Sequence, residues 1–213
     1  MSSDVLVTTP AQRQTEPHAE AVSRNRRQQA TFRKVLAAAM ATLREKSYAD
    51  LTVRLVAARA KVAPATAYTY FSSKNHLIAE VYLDLVRQVP CVTDVNVPMP
   101  IRVTSSLRHL ALVVADEPEI GAACTAALLD GGADPAVRAV RDRIGAEIHR
   151  RITSAIGPGA DPGTVFALEM AFFGALVQAG SGTFPYHEIA DRLGYVVGLI
   201  LAGANEPSTG GSE

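Results

Sequence analysis

Between residues 32 and 43 the apolar positions Phe32, Val35, Leu36, Ala39, Met40 and Leu43 recur at i, i+3, i+4, i+7, i+8 and i+11. That spacing makes one continuous stripe on a helix of 3.6 residues per turn, and it predicts a first helix from about Asn25 to Lys46. Thr52 then stands where an N-cap belongs, with Leu51 before it able to staple onto Val56, so a second helix is expected to end near Ala60. After Lys61-Val62-Ala63, the stretch Pro64-Ala-Thr-Ala-Tyr-Thr-Tyr-Phe71 alternates like a strand. A strand there would have no neighbour to pair with, whereas proline suits the first turn of a helix, so a short third helix is predicted. At 100° per residue Ala67 and Phe71 share its inner face with Tyr68 at the border. Ala65, Thr66, Thr69 and Tyr70 face the other way. Ser72 or Ser73 caps a fourth helix that carries Leu77, Val81 and Leu85 inward.

Beyond Pro90 the segment PCVTDVNVPMP reads as a linker. Helical patterns then span about Ile101–Ala115, Glu119–Leu129, Pro135–Ile156, Pro162–Ala179 and Pro185–Ala202, several opened by proline. No other segment has a strand pattern. The fold class is therefore all-α: an N-terminal helix-turn-helix unit at residues 24–89, followed by a larger helical unit at 90–204. The polar, aperiodic ends, 1–23 and 205–213, are expected to be disordered.

Overall charge is zero across 213 residues, but the total hides a division. From Glu20 to Val89 there are 12 Lys/Arg against 5 Asp/Glu, and from Pro90 onward 8 against 14. A basic unit suited to a polyanion is thus joined to an acidic one with another task. Three helices, the last two joined by a tight turn, leave the third free for a DNA groove.

The stretch TVRLVAARAKVAPATAYTYFSSKNHL resembles the N-terminal domain of the TetR (tetracycline-repressor) family of bacterial transcription regulators. The match runs through Thr52, Val56, Ala57, Ala60, Val62, Thr66, Tyr68, Tyr70, Phe71, Ser73, Lys74 and Leu77. It implies a DNA-binding surface of Arg54, Lys61, Ala65, Thr66, Tyr68, Thr69, Tyr70 and Lys74. Chemistry assigns parts within it. Thr66 offers a methyl or hydroxyl to a base edge, Tyr68 and Tyr70 offer hydroxyls to phosphate, and Lys74, in a helix's first turn, clamps phosphate. Arg54 matches a position that reaches guanine in some family members. Arg24, Arg26 and Arg27 precede the first helix and are candidates for the minor groove. A plainer reading makes the tyrosines half-buried aromatics and the cations solvated charges. Three departures stand out: Lys61 replaces the turn glycine, Ala63 replaces a capping serine, and Thr69 stands where a larger or basic residue is usual.

In the second unit Ala167, Ala171, Ala175 and Ala179 recur every four residues, as do Ala190, Gly194, Gly198 and Ala202. Such ridges let helix axes approach closely. They fit the homodimer interface that the resemblance implies, and equally an intrachain helix pair. The resemblance also implies a pocket for a small apolar effector. Leu107, Leu110, Val114, Cys124, Leu128, Ile148, Phe166, Met170 and Phe173 are candidates for its wall, with His109, Thr125 and Gln178 as sparse polar groups. Ordinary core packing accounts for the same residues.

The five histidines have no metal spacing, the two cysteines no redox motif, and no nucleophile elbow or phosphate loop occurs. No catalytic residue, metal or cofactor is assigned, and an enzyme is not expected. The N-terminus lacks a leader pattern, and the uncharged run Met170 to Tyr186 is short for a bilayer span, so a cytoplasmic protein is expected. The reading is a homodimeric regulator, a repressor released from a palindromic double-stranded operator by its effector. The rival is a helical ligand sensor or interaction protein with weakened DNA reading.

Overall fold

A computed structural model of the chain describes residues 16–204, and among these there are helices and no strand. In order they are α1 Glu16–Leu43, α2 Val53–Arg59, α3 Pro64–Tyr70, α4 Lys74–Gln88, α5 Met99–Leu112, α6 Pro118–Asp130, α7 Pro135–Ile156, α8 Pro162–Gly180 and α9 Tyr186–Ala204. A 3₁₀ turn, Gly131–Ala133, joins α6 to α7. The all-α expectation holds and most boundaries fall within two or three residues of those read from the sequence.

The chief difference is the start of α1, which lies at Glu16 rather than near Asn25. Residues 16–24 show no apolar stripe, but the Ala, Glu and Arg among them are good helix formers. A helix nucleated by the packed turns around Val35 extends through them at little cost. The segment expected to be disordered up to residue 23 is thus partly helical, while its remainder and the 205–213 tail lie outside the described residues. At its other end α1 stops at Leu43, short of Lys46, in a turn where Glu45 N–H and Lys46 N–H both donate to the Thr42 carbonyl.

Local chemistry accounts for the smaller helices. Thr52 Oγ1 accepts from Leu55 N–H at 3.1 Å, capping α2. At the end of α2, Val62 N–H donates to the Ala57 carbonyl and Lys61 N–H to that of Ala58, at 2.9 and 3.0 Å. This nested pair is the Schellman arrangement, and it sets Lys61 at φ 53°, the left-handed region where glycine is favoured. Helix α3 opens with no side-chain cap, since Ala63 has none to give, and relies on Pro64. Phe71, fully buried, stacks on Phe32 of α1 with ring centroids 5.0 Å apart.

Helix α4 packs into both units, and its last residue, Gln88, lies just before the boundary expected after residue 89. It packs against α1 on one side and against α6 and α7 on the other, and Leu77, Ile78, Val81, Leu83 and Val86 are all buried. Its C-terminal carbonyls meet the guanidinium of Arg151 from α7, itself 1% exposed. Arg151 donates to the carbonyls of Val86 at 2.8 Å and Val89 at 3.0 Å and to Glu147 Oε2 at 2.6 Å. A buried cation at a helix C-terminus satisfies orphan carbonyls and complements the dipole. Near its other end Glu80 pairs with Arg143 of α7 at 2.7 Å. Burial works against the Glu80 carboxylate, but hydrogen bonds from His76 and Arg143 outweigh it and hold its pKa below the usual range.

Helices α5, α8 and α9 complete the larger unit, with α9 lying on both α5 and α8. Helix α8 is 19 residues long and, by length and composition alone, apolar enough to cross a membrane. It begins at Pro162, well before the Met170 to Tyr186 run taken from the sequence. It packs against α6, α7 and α9.

Candidate functional site

The exposed face of α3 carries Ala65, Thr66, Tyr68 and Thr69, and Thr69 Oγ1 donates back to the Ala65 carbonyl at 3.0 Å. Arg54, in the first turn of α2, is exposed, as is Lys61 in the turn between the helices. Neither makes an ion pair among the described residues. Arg59, by contrast, is held by Glu45 through two hydrogen bonds of 2.6 Å. Arg54 and Lys61 therefore stand available to a polyanion while Arg59 is neutralised within the fold.

The two tyrosines exchange the places expected of them. Tyr68, assigned to the border of the inner face, is 51% exposed. Tyr70, assigned outward, is half-buried, with its ring edge-on to Phe32 at 6.1 Å and tilted against Phe71 at 6.2 Å. Phe32 sits on α1 just where the third helix ends, and it draws the Tyr70 ring inward. Lys74 also differs. Its ammonium donates to the carbonyls of Tyr48 at 3.1 Å and Ala49 at 3.5 Å, and lies 4.4 Å from the centre of the Tyr48 ring. The Tyr48 hydroxyl in turn donates to Asn75 at 2.5 Å. Lys74 thus ties α4 to the α1–α2 connection, and is not a solvent-facing clamp. Arg26 and Arg27 are exposed on the flank of α1, and Arg24 lies within the same helix rather than on an arm.

A second feature lies inside the larger unit, a cavity of about 200 Å³ enclosed by α4, α6, α7, α8 and the start of α9. Of the residues expected to line a pocket, Val114, Cys124, Thr125, Leu128 and Phe173 do so. Leu107, Leu110 and Ile148 are wholly buried in the core elsewhere. His109 is exposed on α5, and Phe166, Met170 and Gln178 are exposed on α8, away from the cavity wall. Phe166, Met170 and Phe173 share one stripe of α8 at i, i+4 and i+7, so periodicity alone did not show which turns of that stripe meet the cavity. Tyr82, Gly121, Leu129, Arg141, Ile144, Leu176, Val177 and Tyr186 also line it and were not foreseen.

Two glycines shape this cavity. A Cβ on Gly121 would sit 2.7 Å from Tyr186 Cζ, and one on Gly180 would collide with Thr125. Their absence lets the Tyr186 hydroxyl meet Thr125 Oγ1 at 3.2 Å. The Tyr82 hydroxyl is buried and has no hydrogen-bond partner. Burial pushes the phenols of Tyr82 and Tyr186 up and the Cys124 thiol up to about 12, so all three are neutral near pH 7.

On the outer side of α8 and α9 an apolar face is open, with Phe166, Met170 and Val177 on α8 and Tyr195 and Leu199 on α9 exposed. The small-residue ridges are mostly spent within the chain. Ala179 and Ala190 are buried, Ala167, Ala171 and Ala175 are half-buried, and a Cβ on Gly194 would meet Thr104 of α5 at 3.7 Å. Gly198 and Ala202 alone of the eight are exposed, and a Cβ on Gly198 would meet nothing within 4 Å.

Residues 35–81 match the family model described as "Bacterial regulatory proteins, tetR family". Among solved structures the chain is similar to a TetR transcriptional regulator from Rhodococcus sp. RHA1, 21% identical, over 84% of this chain and 98% of that one, with a TM-score of 0.70. A second transcriptional regulator from Rhodococcus sp. RHA1 is 21% identical over 81% and 96%, with a TM-score of 0.60. The multidrug binding protein EbrR, solved with imidazole, is 19% identical over 83% and 91%, with a TM-score of 0.57. The resemblance read from the motif is thereby borne out for the N-terminal helices, and over about 84% of its length the chain has the fold of a solved TetR transcriptional regulator.

Proposed function

From this tetR-family module and fold, we propose that the protein is a homodimeric transcriptional repressor that leaves a palindromic operator when a small apolar effector fills the cavity. The observation that carries the reading is α4. One rigid helix holds Tyr82 in the cavity wall and, at its other end, holds Lys74 against the α1–α2 connection. A ligand that prefers one setting of α4 then prefers one placement of the reading helices, and its differential affinity sets the response. The solved complex of EbrR with imidazole is consistent with a ligand-binding use of this fold. The cytoplasm, where bacterial DNA lies, is the proposed place of action.

In this reading Arg54 reads a base edge, Thr66 and Thr69 line the groove, Ala65 allows close approach, and Tyr68 and Lys61 contact phosphates. Tyr70 and Lys74 set the posture of the reading unit. Two copies joined through the open α8–α9 face place two α3 helices about one DNA turn apart. A glycine at position 198 costs about 1 kcal/mol against alanine in a helix. Contact with a second chain gives that cost a purpose. The alternative, a ligand sensor with weakened DNA reading, draws on the uncapped start of α3.

The test is anisotropy of labelled duplexes across a salt series. Log affinity is expected to fall linearly with log salt, and Arg54→Ala to relax preference at one base pair per half-site, losing about 1 to 3 kcal/mol of discrimination. Equal loss on every sequence removes Arg54 from base reading, and a flat salt response favours the ligand sensor.

A further inference from the structure

The polar groups of the cavity define what can fill it. Two hydroxyls in one hydrogen bond use one proton between them, so the Thr125–Tyr186 pair leaves one O–H unspent. Tyr82 also lines the cavity, and its hydroxyl is buried without a protein partner. A buried hydroxyl without a partner carries a desolvation cost that a ligand acceptor removes. No carboxylate borders the cavity, and the single charged lining residue, Arg141, is exposed and donates to the Leu128 carbonyl at 2.6 Å. The interior therefore offers donors, apolar surface and no anion. A cation buried there would go uncompensated, and a hydrocarbon would leave Tyr82 unsatisfied. In size, the space is somewhat larger than an apolar cavity of about 150 Å³ that takes up benzene.

We infer that the effector is an uncharged compound of one or two rings bearing a hydrogen-bond acceptor, a carbonyl or ether oxygen, that takes the Tyr82 hydroxyl proton. This inference rests on the reading of the cavity as a ligand site and adds its chemistry. Because Tyr82 lies on α4, the acceptor engages the helix that reaches the DNA-reading unit. Gly121 and Gly180 belong to the same device, since they make the room in which Tyr186 and Thr125 meet. Neutral phenols and a neutral thiol keep the interior uncharged across the physiological range.

The experiment is calorimetric titration of the full chain with four probes of similar size: acetophenone, ethylbenzene, 1-phenylethylamine in its protonated form, and benzoate. Acetophenone is expected to bind at least tenfold more tightly than ethylbenzene, and the ammonium and carboxylate probes more weakly than either. Tyr82→Phe is expected to bring acetophenone down to the affinity of ethylbenzene. Ethylbenzene itself should bind the variant as it binds the original, which shows that the cavity is intact. Equal binding of acetophenone and ethylbenzene, or a preference that survives Tyr82→Phe, overturns the hydrogen-bond inference and leaves the cavity as a ligand site. Tightest binding by benzoate overturns the uncharged class and points to Arg141. If none of the four binds, the cavity reading falls as well.

Discussion

Lys61 shows how one side chain can be at odds with its backbone. The Schellman bonds at the end of α2 require a left-handed residue, and lysine adopts φ 53° there at a cost that glycine avoids. Lys61→Gly is expected to stabilise the protein by about 1 kcal/mol in thermal unfolding. An unchanged or lower melting temperature would show that the lysine chain gives back what its backbone loses. The strain was legible in the sequence as a missing turn glycine. The Arg151 cluster was not, because nothing in its spacing distinguishes a buried arginine from its exposed neighbour Arg150. Hydrogen bonds from Arg150 and then Arg151 outweigh burial and hold the Glu147 pKa down at about 2. A carboxylate whose folded pKa lies below its unfolded value adds stability that is present above the unfolded value and lost as pH falls through the folded one. Urea unfolding is therefore expected to find Glu147→Gln less stable than the original at pH 7, with the gap closing between pH 5 and pH 2. A gap independent of pH would assign the loss to packing.

At the scale of elements, the helices were readable because each carries its own signals: the stripe of α1, the Thr52 and Ser73 caps, and prolines opening α3, α6, α7 and α8. What those signals omit is the partner of each face. Leu107 and Phe166 are alike in hydrophobicity and periodicity, yet one is in the core and the other 61% exposed. The same limit governs the ridges on α8 and α9, where Gly194 packs on α5 and Gly198 faces open space. Leu199, 58% exposed beside Gly198, is the better probe of the open face. Leu199→Asp is expected to give a monomer in sedimentation velocity while helix content stays unchanged. A dimer that persists with the aspartate would move the interface away from α9.

For the molecule as a whole, the division of charge seen along the chain becomes a division in space, bridged by α4. Arg44 of the N-terminal unit also pairs with Glu117 beside α6 through contacts of 2.5 and 2.6 Å, and Ser73 donates to Asp134 at 3.0 Å. These contacts add to α4 in joining the two units. Lys74, at the start of α4 and expected to clamp phosphate, is half-buried and holds the α1–α2 connection. In the proposed function this protein reads DNA sequence as a symmetric pair. This is tested most directly by selecting a random duplex library with the purified chain at near-physiological salt and sequencing what is retained. One enriched palindrome with half-sites about one helical turn apart is the expected result. Retention without any enriched sequence, or enrichment of a single unrepeated half-site, would contradict it.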